Sequence, residues 1–150
     1  MSLEKLALKL YCFLFYRKTF ARKKVIVYGF FSIKNQEKLV ILGKLKINDF
    51  VYINAKGGVV IGDNVSLSAG SKIISTGLKI TRKGLSHEHI DEKIVIGDNV
   101  QVGAGAIVLS GVKIPSNVII GAQSVVTKSI EIPGVYVGAP AKLIRKFDVF

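Results

Sequence analysis

The chain has 150 residues, one domain's worth, and its 49% hydrophobic and 21% charged residues make a globular composition and exclude a disordered chain. Twenty-two Lys and Arg against ten Asp and Glu leave a formal charge of +12, so a solvent-facing partner is expected to be anionic. The single cysteine, Cys12, excludes an intrachain disulfide and any cysteine-cluster metal site, and two histidines, His87 and His89, are too few for a histidine-rich centre.

Residues 1–24 read as a helical segment. Leu3, Leu6, Ala7, Leu10, Phe13 and Leu14 fall on one helical face, while Glu4, Lys5 and Lys9 are polar. Tyr11, Phe15 and Tyr16 widen the apolar surface. One reading packs this helix over the open end of the domain that follows. The other is peripheral membrane contact, with Arg17, Lys18, Arg22, Lys23 and Lys24 facing anionic lipid. The apolar run Leu6–Tyr16 is broken by Lys9, is too short to span a bilayer, and is followed by no small-residue cleavage site. The expected location is therefore the cytoplasm, at the inner face of the membrane on the second reading.

From residue 25 to 150 an internal repeat decides the fold. From Ile96 a branched aliphatic recurs every six residues: Ile96, Val102, Val108, Ile114, Ile120, Val126. A second register follows four residues later, at Val100, Ala106, Val112, Val118, Ser124 and Ile130. The same rule holds at Ile61, Leu67 and Ile73, and at Ile41, Ile47 and Ile53. A period of six fits neither a helix nor a hairpin sheet. It fits short strands joined by tight corners, three units closing a triangular coil of about 18 residues, with parallel stacking of successive coils. Residues 41–58, 61–78, 96–113 and 114–131 make four coils, and 25–40 a ragged first one. A β-sandwich is the competing architecture, but its strands do not hold so strict a phase. Residues 79–95 break the rule, hold both histidines, and must loop out of the prism, where function usually sits.

Ile96-Gly97-Asp98-Asn99-Val100, Val102-Gly103-Ala104-Gly105-Ala106, Ile120-Gly121-Ala122-Gln123-Ser124-Val125-Val126-Thr127-Lys128 and Gly138-Ala139-Pro140-Ala141-Lys142 closely resemble the hexapeptide-repeat acyltransferases, in particular the sugar and polysaccharide O-acetyltransferase branch. The resemblance covers roughly residues 41–146. It implies an all-β, left-handed parallel β-helix, with a short N-terminal helix, one extruded loop and a short C-terminal helix. It also implies a homotrimer with acetyl-CoA in the grooves between prisms. The matching positions put the pantetheine arm along Ala104 and Ala122, the nucleotide end at Thr127 and Lys128, and the phosphates near Lys142, Arg145 and Lys146. The competing reading of residues 142–146 is a solvated helix face.

The catalytic histidine departs from the galactoside-type pattern. Thr76-Gly77 stands where that histidine is expected to follow, but Leu78 is next. Lys79 would be protonated near neutral pH and is a poor base unless desolvated. His89 and, second, His87 are the replacements, close before the restart of the prism at Ile94, with Glu88 or Asp91 to orient the ring. Two solvated loop histidines without a role are the competing reading. A backbone N–H near residues 103–105 is the candidate oxyanion donor. Asn54 is a candidate for acceptor hydroxyls, against a purely structural corner role.

The expected activity is acetyl-CoA-dependent O-acetylation of a sugar or polysaccharide hydroxyl, without a metal. The alternatives are an amino-sugar N-acetyltransferase and a non-catalytic trimeric scaffold, for which Leu78 is the main support. A carbonic anhydrase on the same fold needs three histidine ligands, and two histidines tell against it. Nucleic-acid binding is not expected, because the basic residues do not interleave with exposed aromatics or a groove-reading helix.

Overall fold

A computed structural model describes residues 2–21, 24–82 and 84–148. A parallel β-solenoid of about six turns follows one N-terminal helix, consistent with the left-handed β-helix that the resemblance implies. Its three faces are sheets of seven, four and five strands. Inside, the six-residue register stacks into aliphatic columns. Ile41 lies against Ile61, Ile61 against Ile96, and Ile96 against Ile114. Ile47, Leu67, Val102 and Ile120 form a second column, and Ile33, Ile53, Ile73, Val108 and Val126 a third. All are buried. Each such side chain taken from water contributes about 1.5–3 kcal/mol, so the columns dominate the stability of the prism.

The turns are not all of one length. After Ile94 the step is eighteen residues, as in Val100 pairing with Val118 and Ile107 with Val125. Before it the step is twenty, as in Val25 with Leu45 and Ile53 with Ile73. The extra pair sits at the third corner of the triangle, where Ala55–Gly58 separates Ile53 from Val59. In the first turn the same corner holds a short 3-10 turn, Gln36–Lys38. In the third turn it holds the whole break in the repeat, which is an antiparallel hairpin of Thr76–Thr81 and Gly84–Asp91. Residues added at a corner leave the interior columns undisturbed, and loop-closure entropy grows only slowly with length.

The first corner explains the Ile-Gly-Asp-Asn motif. The Asp98 carboxylate accepts the Asp63 N–H of the preceding turn at 2.7 Å, and Asp63 accepts the Lys44 N–H at 2.6 Å. The Lys44 N–H most of all, then the Asn64 N–H and the nearby Lys24 and Lys44 charges, hold the Asp63 carboxyl below its usual range. Each carboxylate lies where a Cβ would stand on Gly43 or Gly62, which is why those residues are glycine. Asn64, Asn99 and Asn117 follow in the left-handed region, which asparagine tolerates, and their carboxamides form a ladder at 2.9 and 3.2 Å.

Two expectations are corrected at the ends. The helix, Leu3–Phe20, does pack on the first turn, but not through the face carrying Leu3, Leu6, Ala7, Leu10, Phe13 and Leu14, which is exposed. Its packing face is Tyr11, Cys12, Tyr16 and Phe20. The Tyr16 hydroxyl accepts the Ile33 N–H at 3.1 Å, and the Tyr11 hydroxyl donates to the Phe31 carbonyl, so phenols supply partners that the first turn's edge otherwise lacks. Tyrosines win this face because they carry both ring area and a polar tip. The predicted C-terminal helix is instead a strand, Lys142–Lys146, antiparallel to Gly134–Val137. The last parallel strand leaves an open edge, and the chain reverses through Gly138, whose φ is +99°, to pair with it. Arg22 and Lys23, expected to face lipid, lie outside the described residues.

Candidate active site on the corners of the prism

The predicted site residues fall into three groups. At the third corner, the hairpin carries both histidines in exposed positions. His89 is paired across the hairpin with Leu78, in regular register. His87 lies in the irregular stretch between Leu85 and His89, with a φ of +58°. The orienting acids divide. Glu88 is bound to the Lys79 ammonium at 2.9 Å. Asp91 lies at the hairpin base beside Thr76, with Lys56 of the preceding turn at 3.2 Å. The Thr76 hydroxyl first, then the Lys56 ammonium and the nearby His89, hold its carboxyl below the usual range. It therefore stays ionised near neutral pH and can stabilise an imidazolium on His89. Asn54 sits one turn below, where its Oδ1 accepts the Lys56 N–H at 3.2 Å and its carbonyl accepts the Ser75 hydroxyl at 2.7 Å. Lys56 and Thr76 were missed in the sequence. Only the twenty-residue step brings Lys56 to the hairpin base.

At the second corner, Ala104 and Ala122 occupy one column, as the resemblance implies. Gln123 N–H donates to the Ala104 carbonyl at 2.8 Å, and Gly105 N–H to the Ala69 carbonyl at 2.9 Å. Ala69-Gly70, Ala104-Gly105 and Ala122-Gln123 thus stack into a track of small residues, with Gly70 and Gly105 in the left-handed region. The oxyanion expectation narrows here. Gly103 N–H is bound to the Ile120 carbonyl at 2.8 Å and Gly105 N–H is bound as above, so both are committed to the solenoid. Among the described residues the Ala104 N–H has no backbone acceptor.

The third group lies at the C-terminal end. Thr127 and Lys128 are exposed at the third corner of a late turn, and Lys142 and Arg145 are exposed on the terminal strand. Lys142 and Arg145 thus stand on a strand and not on the predicted helix. No group of three or more potential metal ligands occurs among the described residues.

Residues 93–128 match the family described as bacterial transferase hexapeptide (six repeats). A maltose O-acetyltransferase from Clostridium difficile 630 is 30% identical, with a TM-score of 0.73, over 85% of this chain and 68% of that one. The chain belongs to the hexapeptide-repeat acyltransferases. The polysialic acid O-acetyltransferase OatWY is 30% identical to this transferase, with a TM-score of 0.65, over 82% of this chain and 61% of that one. A galactoside acetyltransferase solved with coenzyme A is 28% identical, with a TM-score of 0.66, over 81% and 64%. A comparison with curated proteins gives no match.

The basic end of this transferase yields a direct expectation. Lys128→Ala and Arg145→Ala should each raise KM for acetyl-CoA severalfold and leave kcat nearly unchanged, because a phosphate contact is the same in ground and transition states. Steady-state kinetics with acetyl-CoA and its dephospho form check this. Equal KM values for the two thioesters in the parent enzyme would remove the ribose-phosphate contact.

Proposed function

We propose that this transferase moves the acetyl group of acetyl-CoA to a hydroxyl of a sugar or polysaccharide, with His89 as general base. The observation that carries this reading is the hairpin, which projects both histidines from a rigid corner and sets Asp91 at its base. The sugar hydroxyl gives its proton to the imidazole as its oxygen forms a bond to the thioester carbonyl carbon. The carbonyl π pair moves onto oxygen, for which the Ala104 N–H is the candidate donor. Collapse breaks the C–S bond, and CoA thiolate takes the proton back from the imidazolium. General-base help is worth about 10²–10⁴ in rate and one preorganised oxyanion donor about 10²–10³.

The assembly that fits is a homotrimer. Within one chain the Ala104 track and the hairpin stand at opposite ends of one face, about 15–20 Å apart for five or six extended residues. A groove that uses both needs the hairpin of a second copy. The test of the reaction is incubation with acetyl-CoA and a panel of neutral and amino sugars. Thiol release and a sugar carrying one acetyl group that mild alkali removes are expected. An alkali-stable amide on amino sugars alone would overturn the hydroxyl reading.

A second reading concerns the helix. Its exposed stripe, Leu3, Leu6, Leu10, Phe13 and Leu14, lies opposite the face that packs on the prism. Lys9 flanks it on one side and Lys18 on the other, and Arg17 falls within it with its guanidinium 5.3 Å over the Phe13 ring. No helix among the described residues is long and apolar enough to cross a membrane. We read the stripe as lying in the plane of an anionic membrane surface, which would bring the transferase to lipid-linked acceptors. The protein should co-sediment with phosphatidylglycerol vesicles, and Leu6→Asp with Leu10→Asp should abolish this. Equal recovery in the supernatant with and without vesicles would contradict it.

A further inference from the structure

Phe50 is out of place by the rules that shaped the rest of the solenoid. It stands at the second corner with a φ of +58°. The other non-glycine residues with positive φ among the described residues are Asn35, Asn64, His87, Asn99, Asn117 and Gln123, all polar. A bulky aromatic in the left-handed region is strained, and such strain persists where something else rewards it. Burial in this chain does not, because Phe50 is 78% exposed. The reward therefore comes from outside the chain.

Its position says what arrives. Gly70 N–H donates to the Asp49 carbonyl at 2.8 Å, so Asp49-Phe50 is the next step of the column that carries Ala69-Gly70, Ala104-Gly105 and Ala122-Gln123. At the left-handed position the sequence runs Phe50, Gly70, Gly105, Gln123. Gly70 leaves bare backbone beside Phe50, while the Gln123 carboxamide lies over Gly105. Beyond the Gln123 end of this track lie Lys142 and Arg145 on the terminal strand, suited to phosphates. Phe50 closes the other end, about 10 Å from Gly105 at one strand spacing per turn. Phe50 N–H donates to the Phe30 carbonyl at 2.6 Å, and Phe30, 42% exposed, extends an aromatic strip toward Tyr11.

We propose that the Phe50 ring is a platform for the apolar C–H face of the acceptor's pyranose ring, and so a determinant of acceptor affinity. This rests on the acetyl-transfer reading above. A thioester held from the basic end meets its acceptor from the opposite end, where Phe50 stands. A pyranose presents a flat C–H face with hydroxyls at its rim, and an aromatic face covers the first while leaving the second free.

The test is Phe50→Gly with saturating acetyl-CoA and varied maltose, p-nitrophenyl galactoside or glucosamine. Glycine relieves the backbone strain, so the melting temperature should hold or rise and the oligomeric mass should stay as in the parent. KM for the saccharide that the parent acetylates should rise about tenfold, with kcat and the KM for acetyl-CoA nearly unchanged. Phe50→Tyr should restore the KM, and Phe50→Leu should not. An unchanged saccharide KM, equal rescue by leucine, or a fall to a smaller oligomer each overturns the platform, the last by making Phe50 a subunit contact. A parent enzyme that acetylates only glucosamine nitrogen would remove the hydroxyl reading and leave the KM comparison valid. Failure to acetylate any saccharide would overturn both.

Discussion

His89→Ala should lower kcat by about 10²–10⁴ with acetyl-CoA affinity retained, while His87→Ala leaves measurable turnover. The asymmetry comes from the hairpin. His89 is held by cross-strand pairing with Leu78 and lies within electrostatic reach of the Asp91 carboxylate. His87 sits in the register irregularity, where its ring direction is less constrained. Single-turnover and steady-state rates, with CoA binding measured by titration, separate loss of chemistry from loss of affinity. Near-parental rates in both variants would dismiss a hairpin base. Lys79 would be a weak successor, since Glu88 already binds its ammonium.

A large effect on stability is expected at Gly103. A Cβ there would stand 2.6 Å from the Ile120 carbonyl oxygen and 2.6 Å from the Ala122 nitrogen, both backbone atoms of the next turn. Neither can move without breaking the rung that Gly103 N–H makes to Ile120 at 2.8 Å. Gly103→Val should therefore cost about 3 kcal/mol. Gly77→Ala is the matched comparison, because nothing lies within 4 Å of its added Cβ. Denaturant titration of the two variants should show a large fall in midpoint for the first and almost none for the second. Equal midpoints would mean that successive turns are not packed as tightly as described.

What could be read from the sequence was what repeats. The inward aliphatics at Ile96, Val102, Val108, Ile114, Ile120 and Val126 are legible because each occupies an equivalent interior place and few other side chains fill it. The stretched third corner was less legible, since added corner residues such as Ala55–Gly58 leave no mark on the register beyond a skipped phase. The helix misled because it is apolar on two sides. The leucine stripe has the stronger pattern, but Tyr11 and Tyr16 have the hydroxyls that an open strand edge needs. The terminal strand misled because an unpaired edge recruits whatever chain follows it, whatever the local propensity.

The candidate site divides in the same way. His87 and His89 were legible as the only histidines, lying in the one segment that breaks the repeat. The track through Ala104 and Ala122 followed from the motifs. The link from Lys56 to Asp91 and the left-handed conformation of Phe50 were not legible. One depends on the step between turns, and the other on a backbone angle that an aromatic residue does not advertise.

The most direct test is a crystal structure with CoA bound. The account predicts the sulfur beside the Ala104 corner of one copy, with an imidazole nitrogen of His89 from a neighbouring copy within about 3.5 Å, either directly or through one water. A sulfur that lies away from both histidines, or a hairpin turned out of the groove, would contradict it.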